Sequence, residues 1–218
     1  MLKGENMEII EGVNMLDCTE KSHVYLIRDK ENILIDTGLP GEAEKILSEI
    51  KFMNIELNSI KHILLTHHDI GHVGNAKILQ DETGAALWAS KEDAPYIIGK
   101  KSRLGVKRII QTFIRYKKPI INYFYNGYEN IRGIRVIKTP GHTPGHVIFM
   151  YKNVLFTGDL FKIVKENIKL LPKDRNWNQY NLEKSLGLLK NLECEWICPA
   201  HGTPIMKNDI WEEFVKKY

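Results

Sequence analysis

The chain has 218 residues, with 31 lysines and arginines against 27 aspartates and glutamates, which gives a formal net charge of +4. Hydrophobic residues make up 43% of it and charged residues 27%, a composition that is typical of a packed globular protein and excludes wholesale disorder. Three cysteines are too few, and odd in number, for a disulfide framework, so they favour a reducing compartment.

Neither a membrane nor a nucleic acid is indicated as a partner. The first dozen residues include charged side chains among the apolar ones and lack the continuous apolar stretch of a signal peptide. No run of 18 apolar residues occurs, so we expect no membrane span and a cytoplasmic protein. The small net charge is weak support for a nucleic-acid partner, and a small molecule is the expected substrate.

Short runs rich in β-branched residues predict strands along the chain. In chain order they cover residues 24–27, 33–35, 62–65, 86–89, 134–137, 147–151, 154–156 and 196–198. Amphipathic spacing predicts helices over 42–53, 73–80, 105–116, 182–192 and 209–217, with Asn181 and Asp209 as N-caps of the last two. This alternation predicts an α/β protein of layered mixed sheets and helices, and the length allows one large domain or two small ones.

Residues 91–133 differ from the rest of the chain in charge and aromatic content. They hold ten lysines and arginines against three acids, a local net charge of +7, so the remainder carries −3. One interpretation is a basic aromatic insert or lid in which Arg115, Tyr123 and Tyr125 bind an anionic or amphipathic substrate. The alternatives are a solvated helical face and the surface of a homodimer.

Histidines and aspartates follow several of the predicted strands, in loops marked by glycine or proline. The segments are 65–72, 139–146, 156–159 and 198–202. Strands that aim loops at one edge of a sheet gather side chains that are distant in sequence. Imidazole and carboxylate together suit zinc, iron or manganese, so we expect a metal centre at this edge.

These segments resemble the motifs of the metallo-β-lactamase fold superfamily. In order they are LIDTG at 34–38, HHDIGH at 67–72, GHTPG at 141–145, TGD at 157–159 and PAHG at 199–202. The resemblance covers nearly the whole chain, and the glyoxalase II and lactone hydrolase branches are the most similar. It implies a single domain over 1–218 that folds as a four-layer αββα sandwich, with the metal site along one edge of the two sheets.

The metal loop departs from the family's usual His-x-His-x-Asp-His. Asp69 stands where the second histidine should be, and Gly71 replaces the aspartate. The resemblance therefore implies one firm metal site and a second that is weak or absent, with Zn²⁺ first and iron or manganese as alternatives. The implied ligands are His67, Asp69 and His142 for the first metal, His72 and His201 for the second, and Asp159 as the bridge.

Several neighbouring residues have less specific interpretations. Asp69 could instead cap a helix that begins near Gly71. Asp36 is expected to hold loops behind the metals, and His146 to support its own loop. His68 is expected to point elsewhere, although it could substitute for the missing ligand.

The function implied is a metal-dependent hydrolase that attacks a carbonyl ester, thioester or lactone with a metal-bound hydroxide. Asp159 and Asp69 are the candidate catalytic residues. Because only 16 residues follow Gly202, we expect the helical domain with which glyoxalase II binds glutathione to be missing and glutathione thioester hydrolysis to be disfavoured. The loss of the usual aspartate at Gly71 argues for lowered, altered or lost activity.

Three other functions fit the same residues. A single harder metal site suits a mononuclear-iron redox enzyme similar to persulfide dioxygenases. The basic segment allows a phosphodiesterase or nuclease, whose binding would depend steeply on salt. A non-catalytic metal-binding relative would keep the fold and show no turnover.

Overall fold

The computed structural model describes residues 7–102, 116–127 and 130–218. The chain divides into two compact units, 1–124 and 125–218. Most of the predicted helix over 105–116 falls outside the described residues, and so does Arg115. In the described part of the chain, no helix has both the length and the apolar character that crossing a membrane requires.

The strands of the first sheet lie in the order in which they occur along the chain. They are β1 (Met7–Ile10), β2 (Val13–Met15), β3 (Tyr25–Ile27), β4 (Asn32–Ile35), β5 (Ile60–Leu64), β6 (Ala86–Ser90) and β7 (Tyr123–Tyr125). The helices of this half are α1 (Ala43–Phe52), α2 (Ile70–Val73), α3 (Ala76–Thr83) and α4 (Ala94–Ile97).

Strand direction changes at β4 in the first unit. Strands β1 to β4 are antiparallel neighbours, whereas β4, β5 and β6 run parallel. A parallel pair needs a crossover connection, which α1 supplies between β4 and β5, and α2 with α3 between β5 and β6. Because parallel strands end at the same edge, the loops after β4 and β5 begin side by side.

Helix α1 forms because its apolar residues recur on one face. Ala43, Ile46 and Ile50 are buried, and the two isoleucines belong to the apolar cluster of this unit. Full burial of one isoleucine side chain stabilises the fold by about 1.5–3 kcal/mol. The helix ends where Asn54 adopts a positive φ of 57°.

The second unit is built on a six-stranded sheet and a separate hairpin. The sheet order is β15-β14-β11-β10-β9-β8, and β12 pairs with β13. These strands are β8 (Asn130–Ile131), β9 (Ile134–Lys138), β10 (Val147–Tyr151), β11 (Val154–Gly158), β12 (Lys162–Val164), β13 (Asn167–Lys169), β14 (Trp196–Pro199) and β15 (Ile205–Met206). The helices are α5 (Gln179–Gly187) and α6 (Asp209–Lys216).

The parallel pair of this sheet is β11 with β14, and α5 lies in the connection between them. The loops that follow β11 and β14 therefore leave the same edge. An aromatic group of Phe161, Trp211 and Phe214 packs in the apolar cluster of the unit. Burial of these rings anchors α6 and the segment that directly follows β11.

Three local predictions need correction. Asn178, not Asn181, caps α5, and its side chain accepts the N–H of Asn181. Asn208, not Asp209, caps α6 by accepting the N–H of Trp211. The predicted helix over 73–80 begins later, at Ala76, because α2 ends at Val73 and Asn75, with a φ of −116° and a ψ of 7°, interrupts the helical backbone.

Candidate metal centre

In the first unit, Asp36 joins the ends of two parallel strands. It directly follows β4, while Thr66 begins the loop after β5. The Asp36 carboxylate accepts hydrogen bonds from the Thr66 backbone N–H (2.8 Å) and hydroxyl (2.7 Å). Its Oδ2 also lies 2.7 Å from His72 Nδ1. This placement agrees with the predicted role of Asp36 in holding the loop.

The His67, Asp69 and His72 side chains are grouped at this edge. Nε2 of buried His67 lies 3.7 Å from Asp69 Oδ2, and the His67 and His72 ring centroids are 3.9 Å apart. Thr66 Oγ1 lies 3.0 Å from His67 Nδ1. Oxygen atoms thus lie against Nδ1 of both rings, an arrangement typical of histidines that bind a metal through Nε2.

His68 points to a different set of neighbours. Its ring stacks on Tyr96 with centroids 4.3 Å apart, and its Nδ1 lies 2.9 Å from Oδ2 of buried Asp93. The same Asp93 oxygen accepts the His68 backbone N–H at 3.0 Å. Asp93 therefore fixes the residue between His67 and Asp69, a contribution that the sequence analysis missed.

Gly71 has a serine beside it. A Cβ atom at Gly71 would lie 3.1 Å from Ser22 Oγ and 3.3 Å from Ser22 Cβ. Ser22 is 1% exposed, and its hydroxyl has no hydrogen-bond partner among the described residues. The space that a side chain at position 71 would enter is therefore partly occupied by a buried hydroxyl group.

In the second unit, Asp159 faces two histidines. Its Oδ2 lies 3.4 Å from His142 Nε2, and its Oδ1 lies 3.1 Å from His201 Nε2. The carboxylate and His142 are buried, whereas the His201 side chain is 32% exposed. Asp159 follows β11 and His201 follows β14, so the shared edge of the parallel pair brings them together.

Two further residues orient this group. Asn176 Oδ1 lies 3.0 Å from His142 Nδ1. His146 Nε2 accepts the Asp159 backbone N–H at 3.1 Å, while its Nδ1 lies 2.8 Å from Thr139 Oγ1. His146 thus ties its own loop to that of Asp159 and supports the site, in agreement with the prediction for it.

The spacing of these ligand atoms fits a metal ion. Two ligands at roughly 2.0–2.1 Å from one tetrahedral zinc ion are about 3.3 Å apart. The pairs within each unit are separated by 3.1, 3.4 and 3.7 Å. Imidazole nitrogens and carboxylate oxygens, with oxygen atoms on Nδ1 of His67, His72 and His142, form a donor set that suits a divalent cation.

The thiol groups do not join this donor set. Burial raises the pKa of Cys198 well above its usual range, with a smaller contribution from Cys194. Burial also raises the pKa of Cys194 to about 11. Neither thiol belongs to the groups of possible ligand atoms among the described residues, so both are interpreted as buried structural thiols.

The three residues predicted to bind substrate have different positions. Tyr123 is 50% exposed and packs on Trp88 with ring centroids 4.4 Å apart. Tyr125 is buried and meets Phe149 edge to face at 5.8 Å. Arg115 lies outside the described residues. Their role in substrate binding, and that of 91–133 as a lid, remain predictions.

The family described as the Metallo-beta-lactamase superfamily matches residues 19–201, which is most of the chain. The chain belongs to the metallo-beta-lactamase superfamily. This membership confirms the resemblance that the five sequence motifs indicated. Together with the names of the relatives described next, it also confirms the prediction that the protein is a metallo-hydrolase. The fold of this superfamily implies a divalent metal, which agrees with the donor set of the two units.

Curated relatives within the superfamily are similar at low identity. "Probable metallo-hydrolase YybB" of Bacillus subtilis (strain 168) is 25% identical over 203 residues, with 90% of this chain and 88% of the relative covered. "Hydroxyacylglutathione hydrolase GloC" of Haemophilus influenzae is 31% identical over 144 residues, which cover 61% of this chain and 62% of the relative. This chain therefore spans somewhat less than two thirds of that second relative.

Solved structures of metallo-beta-lactamases confirm the fold. MEM-A1, a subclass B3 metallo-beta-lactamase from a soil metagenome library, has a TM-score of 0.73 at 19% identity, with 98% of this chain and 92% of that one covered. The metallo-beta-lactamase of Cronobacter sakazakii has a TM-score of 0.72 at 18% identity, and the match covers 90% of this chain and 80% of that one. The predicted α/β class with the αββα sandwich of this fold is thus confirmed.

Proposed function

We propose that this member of the superfamily hydrolyses a carbonyl ester, thioester or lactone at a metal centre that takes ligands from both halves of the chain. The observation that carries the proposal is Asp159, whose two buried carboxylate oxygens each face the Nε2 of a different histidine. A carboxylate that presents one oxygen to each of two ligand groups has the arrangement of a bridging ligand.

The ligand assignment combines this observation with family membership. The donor pairs within each unit have the separation of ligands on a shared ion, and the matched family spans all of them. We assign His67, Asp69 and His142 to the first ion, His72 and His201 to the second, and Asp159 to both.

We propose Zn²⁺ as the first choice of metal, with iron or manganese as alternatives because Asp69 contributes oxygen where the family has nitrogen. The first site is expected to hold its ion firmly. The second site has no side chain at Gly71 to contribute, so its ion is expected to be weakly held or absent. Two tightly bound ions per chain would contradict this assignment.

The residues of the chain have distinct tasks in this mechanism. A bound divalent cation supplies polarisation of the substrate carbonyl and favours ionisation of water near neutral pH. Asp159 can orient the attacking water and accept its proton at a carboxylate oxygen, and Asp69 can do the same from the first unit. Asp36, Asn176 and Thr66 keep the imidazole rings oriented through their Nδ1 atoms.

A carbonyl substrate is supported by the curated relatives. GloC of Haemophilus influenzae and a protein of Pelagibacter ubique are both named hydroxyacylglutathione hydrolases. An acyl group carried on sulfur or oxygen is the chemistry that such an enzyme cleaves. We therefore infer a small-molecule acyl compound as the substrate class.

The variant His142→Ala tests the proposal. Wild-type protein purified without added metal should retain at least one ion per chain by elemental analysis, and it should hydrolyse members of an ester, thioester and lactone panel. His142→Ala should lose most of its metal and at least about a hundredfold in kcat/KM, since it removes a ligand outright.

His62→Ala is the matched control. His62 is a half-buried histidine of the first unit whose Nε2 lies 3.0 Å from Glu31 Oε2, outside the ligand group. This variant should keep wild-type metal content and activity. The proposal is wrong if His142→Ala retains its ion and its activity, or if metal-loaded wild-type protein turns over no carbonyl substrate.

A further inference from the structure

The segment before α5 is fastened to the His142 loop by three hydrogen-bonding contacts. Asn176 Oδ1 lies 3.0 Å from His142 Nδ1. The backbone N–H of Trp177 donates to His142 O at 3.0 Å, and that of Asn178 donates to Gly141 O at 2.9 Å. Trp177 is therefore held one hydrogen bond away from a proposed metal ligand.

The Trp177 indole remains 51% exposed in this position. Isolated apolar side chains are common on protein surfaces and need no special explanation. Trp177 differs because its backbone is fixed to a ligand loop at a precise place. It is thus an exposed apolar residue whose backbone is bonded directly to the loop that carries His142, the histidine whose Nε2 faces Asp159.

A second exposed apolar side chain is fastened to the other ligand loop of this unit. Ile163 donates its backbone N–H to His201 O at 3.0 Å and forms a β-bridge with Gly202. The next residue, Val164, is 38% exposed. Each histidine that faces Asp159 thus has an exposed apolar neighbour attached to its own loop.

The chain between these two positions is basic. Residues 164–177 hold four lysines and arginines against two acids, a local net charge of +2. All four cations, at 165, 169, 173 and 175, are exposed. A field of this sign attracts anionic ligands and raises their local concentration.

We propose that Trp177 and Val164 bind the acyl group of the substrate, and that the preferred substrates are amphipathic, with an apolar or aromatic acyl group and an anionic substituent. The inference rests on the proposed hydrolase function and narrows its substrate class. The proposed binding surface lies in the second unit and consists of Trp177 and Val164, neither of which is a proposed metal ligand.

Four thioesters test the two parts of the inference separately. They combine an acetyl or a phenylacetyl group with mercaptoacetate, which is anionic, or with mercaptoethanol, which is neutral. Trp177→Ala should lower kcat/KM about tenfold for both phenylacetyl compounds and less than about twofold for the acetyl compounds, because the lost contact involves tens of Å² of apolar area. Trp177→Phe should recover most of the loss.

The anionic preference has its own measurement. Wild-type protein should favour the mercaptoacetate thioesters over their neutral counterparts, and the ratio should fall as salt is raised. Equal kcat/KM for the two thiol groups at low salt would overturn this part of the inference.

Leu188→Ala is the control, since Leu188 is 44% exposed and follows the far end of α5. It should leave all four substrates unchanged. Calorimetric titration supplies a readout without turnover: 3-phenylpropionate should bind more tightly than propionate to wild-type protein, and Trp177→Ala should remove the difference while metal content stays constant.

The outcomes separate the inference from the function on which it rests. If metal-loaded wild-type protein cleaves neither these thioesters nor any member of the ester and lactone panel, the hydrolase proposal is wrong. If the thioesters are cleaved but Trp177→Ala lowers all four equally, or none, the acyl-binding role of Trp177 is wrong.

Discussion

At the scale of single residues, a buried serine lies beside Gly71 in the proposed metal loop. The buried Ser22 hydroxyl points to the space beside Gly71, and no described residue satisfies it. An unsatisfied buried hydroxyl costs about 1–3 kcal/mol. A side chain at position 71 would press on Ser22, and we expect an aspartate there to be accommodated best when Ser22 is also replaced by a smaller residue.

We expect Gly71→Asp alone to bind no additional ion and to lower the free energy of unfolding by about 1–3 kcal/mol, because the new side chain overpacks against Ser22. Ser22→Gly/Gly71→Asp should recover the stability and bind a second ion. Metal stoichiometry and urea unfolding of the two single variants and the double variant measure this. Two ions bound by Gly71→Asp with unchanged stability would show that Ser22 is no obstacle.

Asp36 supports a second prediction at this scale. It has a φ of 60°, which asparagine tolerates, and it accepts hydrogen bonds from Thr66 beside its contact with His72. Asp36→Asn should weaken metal affinity about 10–100-fold, since it removes the carboxylate partner of a ligand histidine.

Competition with a chelator measures the affinity of this variant. Asp81→Asn is the matched control, because Asp81 is an exposed aspartate that pairs with Lys77 on α3. Equal metal affinity in the two variants would show that Asp36 acts only on the backbone of the loop.

At the scale of elements, α6 is held by its cap and its aromatic face. Asn208 accepts the N–H of Trp211 at 3.1 Å, and Trp211 with Phe214 packs against Phe161. Phe161 is two residues from Asp159, so the packing of this terminal helix supports the segment that carries the proposed bridge.

Asn208→Ala should lower the free energy of unfolding by about 1 kcal/mol, because a backbone N–H of the first turn loses its acceptor. Urea unfolding monitored by circular dichroism measures the change. Asn208→Asp should keep most of the stability, since aspartate caps equally well. A loss in Asn208→Asp as large as in Asn208→Ala would contradict the capping role.

At the scale of the whole molecule, the buried thiols couple stability to pH. Burial raises the pKa of Cys194 to about 11 and that of Cys198 further. In the unfolded chain a thiol has a pKa of about 8.5. Above that pH the unfolded chain releases protons that the folded chain keeps, so the stability contribution is present below it and is lost as pH rises.

We expect the free energy of unfolding to fall more steeply between pH 9 and 10 in the wild type than in Cys194→Ala/Cys198→Ala. The difference should be about 2 kcal/mol for two thiols over one pH unit. Urea unfolding at both pH values measures it. Parallel pH dependence in the two proteins would show that the thiols ionise equally when folded and unfolded.

The sequence by itself indicated the family and eight of the fifteen described strands, and it supplied the proposed ligands. It did not predict the short strands β1, β2, β7, β8, β12, β13 and β15. Strands β10 and β9 begin where the β-branched runs predicted, and each metal motif follows a strand, because local apolar spacing reports which residues a sheet buries. The three misplaced features, the two caps and the split of α2 from α3, are local but depend on the contacts that the chain meets.

Only the tertiary structure decided which distant residues complete the site. Ser22 beside Gly71, Asp93 on His68 and Asn176 on His142 join positions that are 25 or more residues apart. Periodicity along a chain fixes which face of an element is buried, but it carries no information about which distant loop will pack against that face. The supporting contacts therefore emerge only when the strands pair and their loops meet at a common edge.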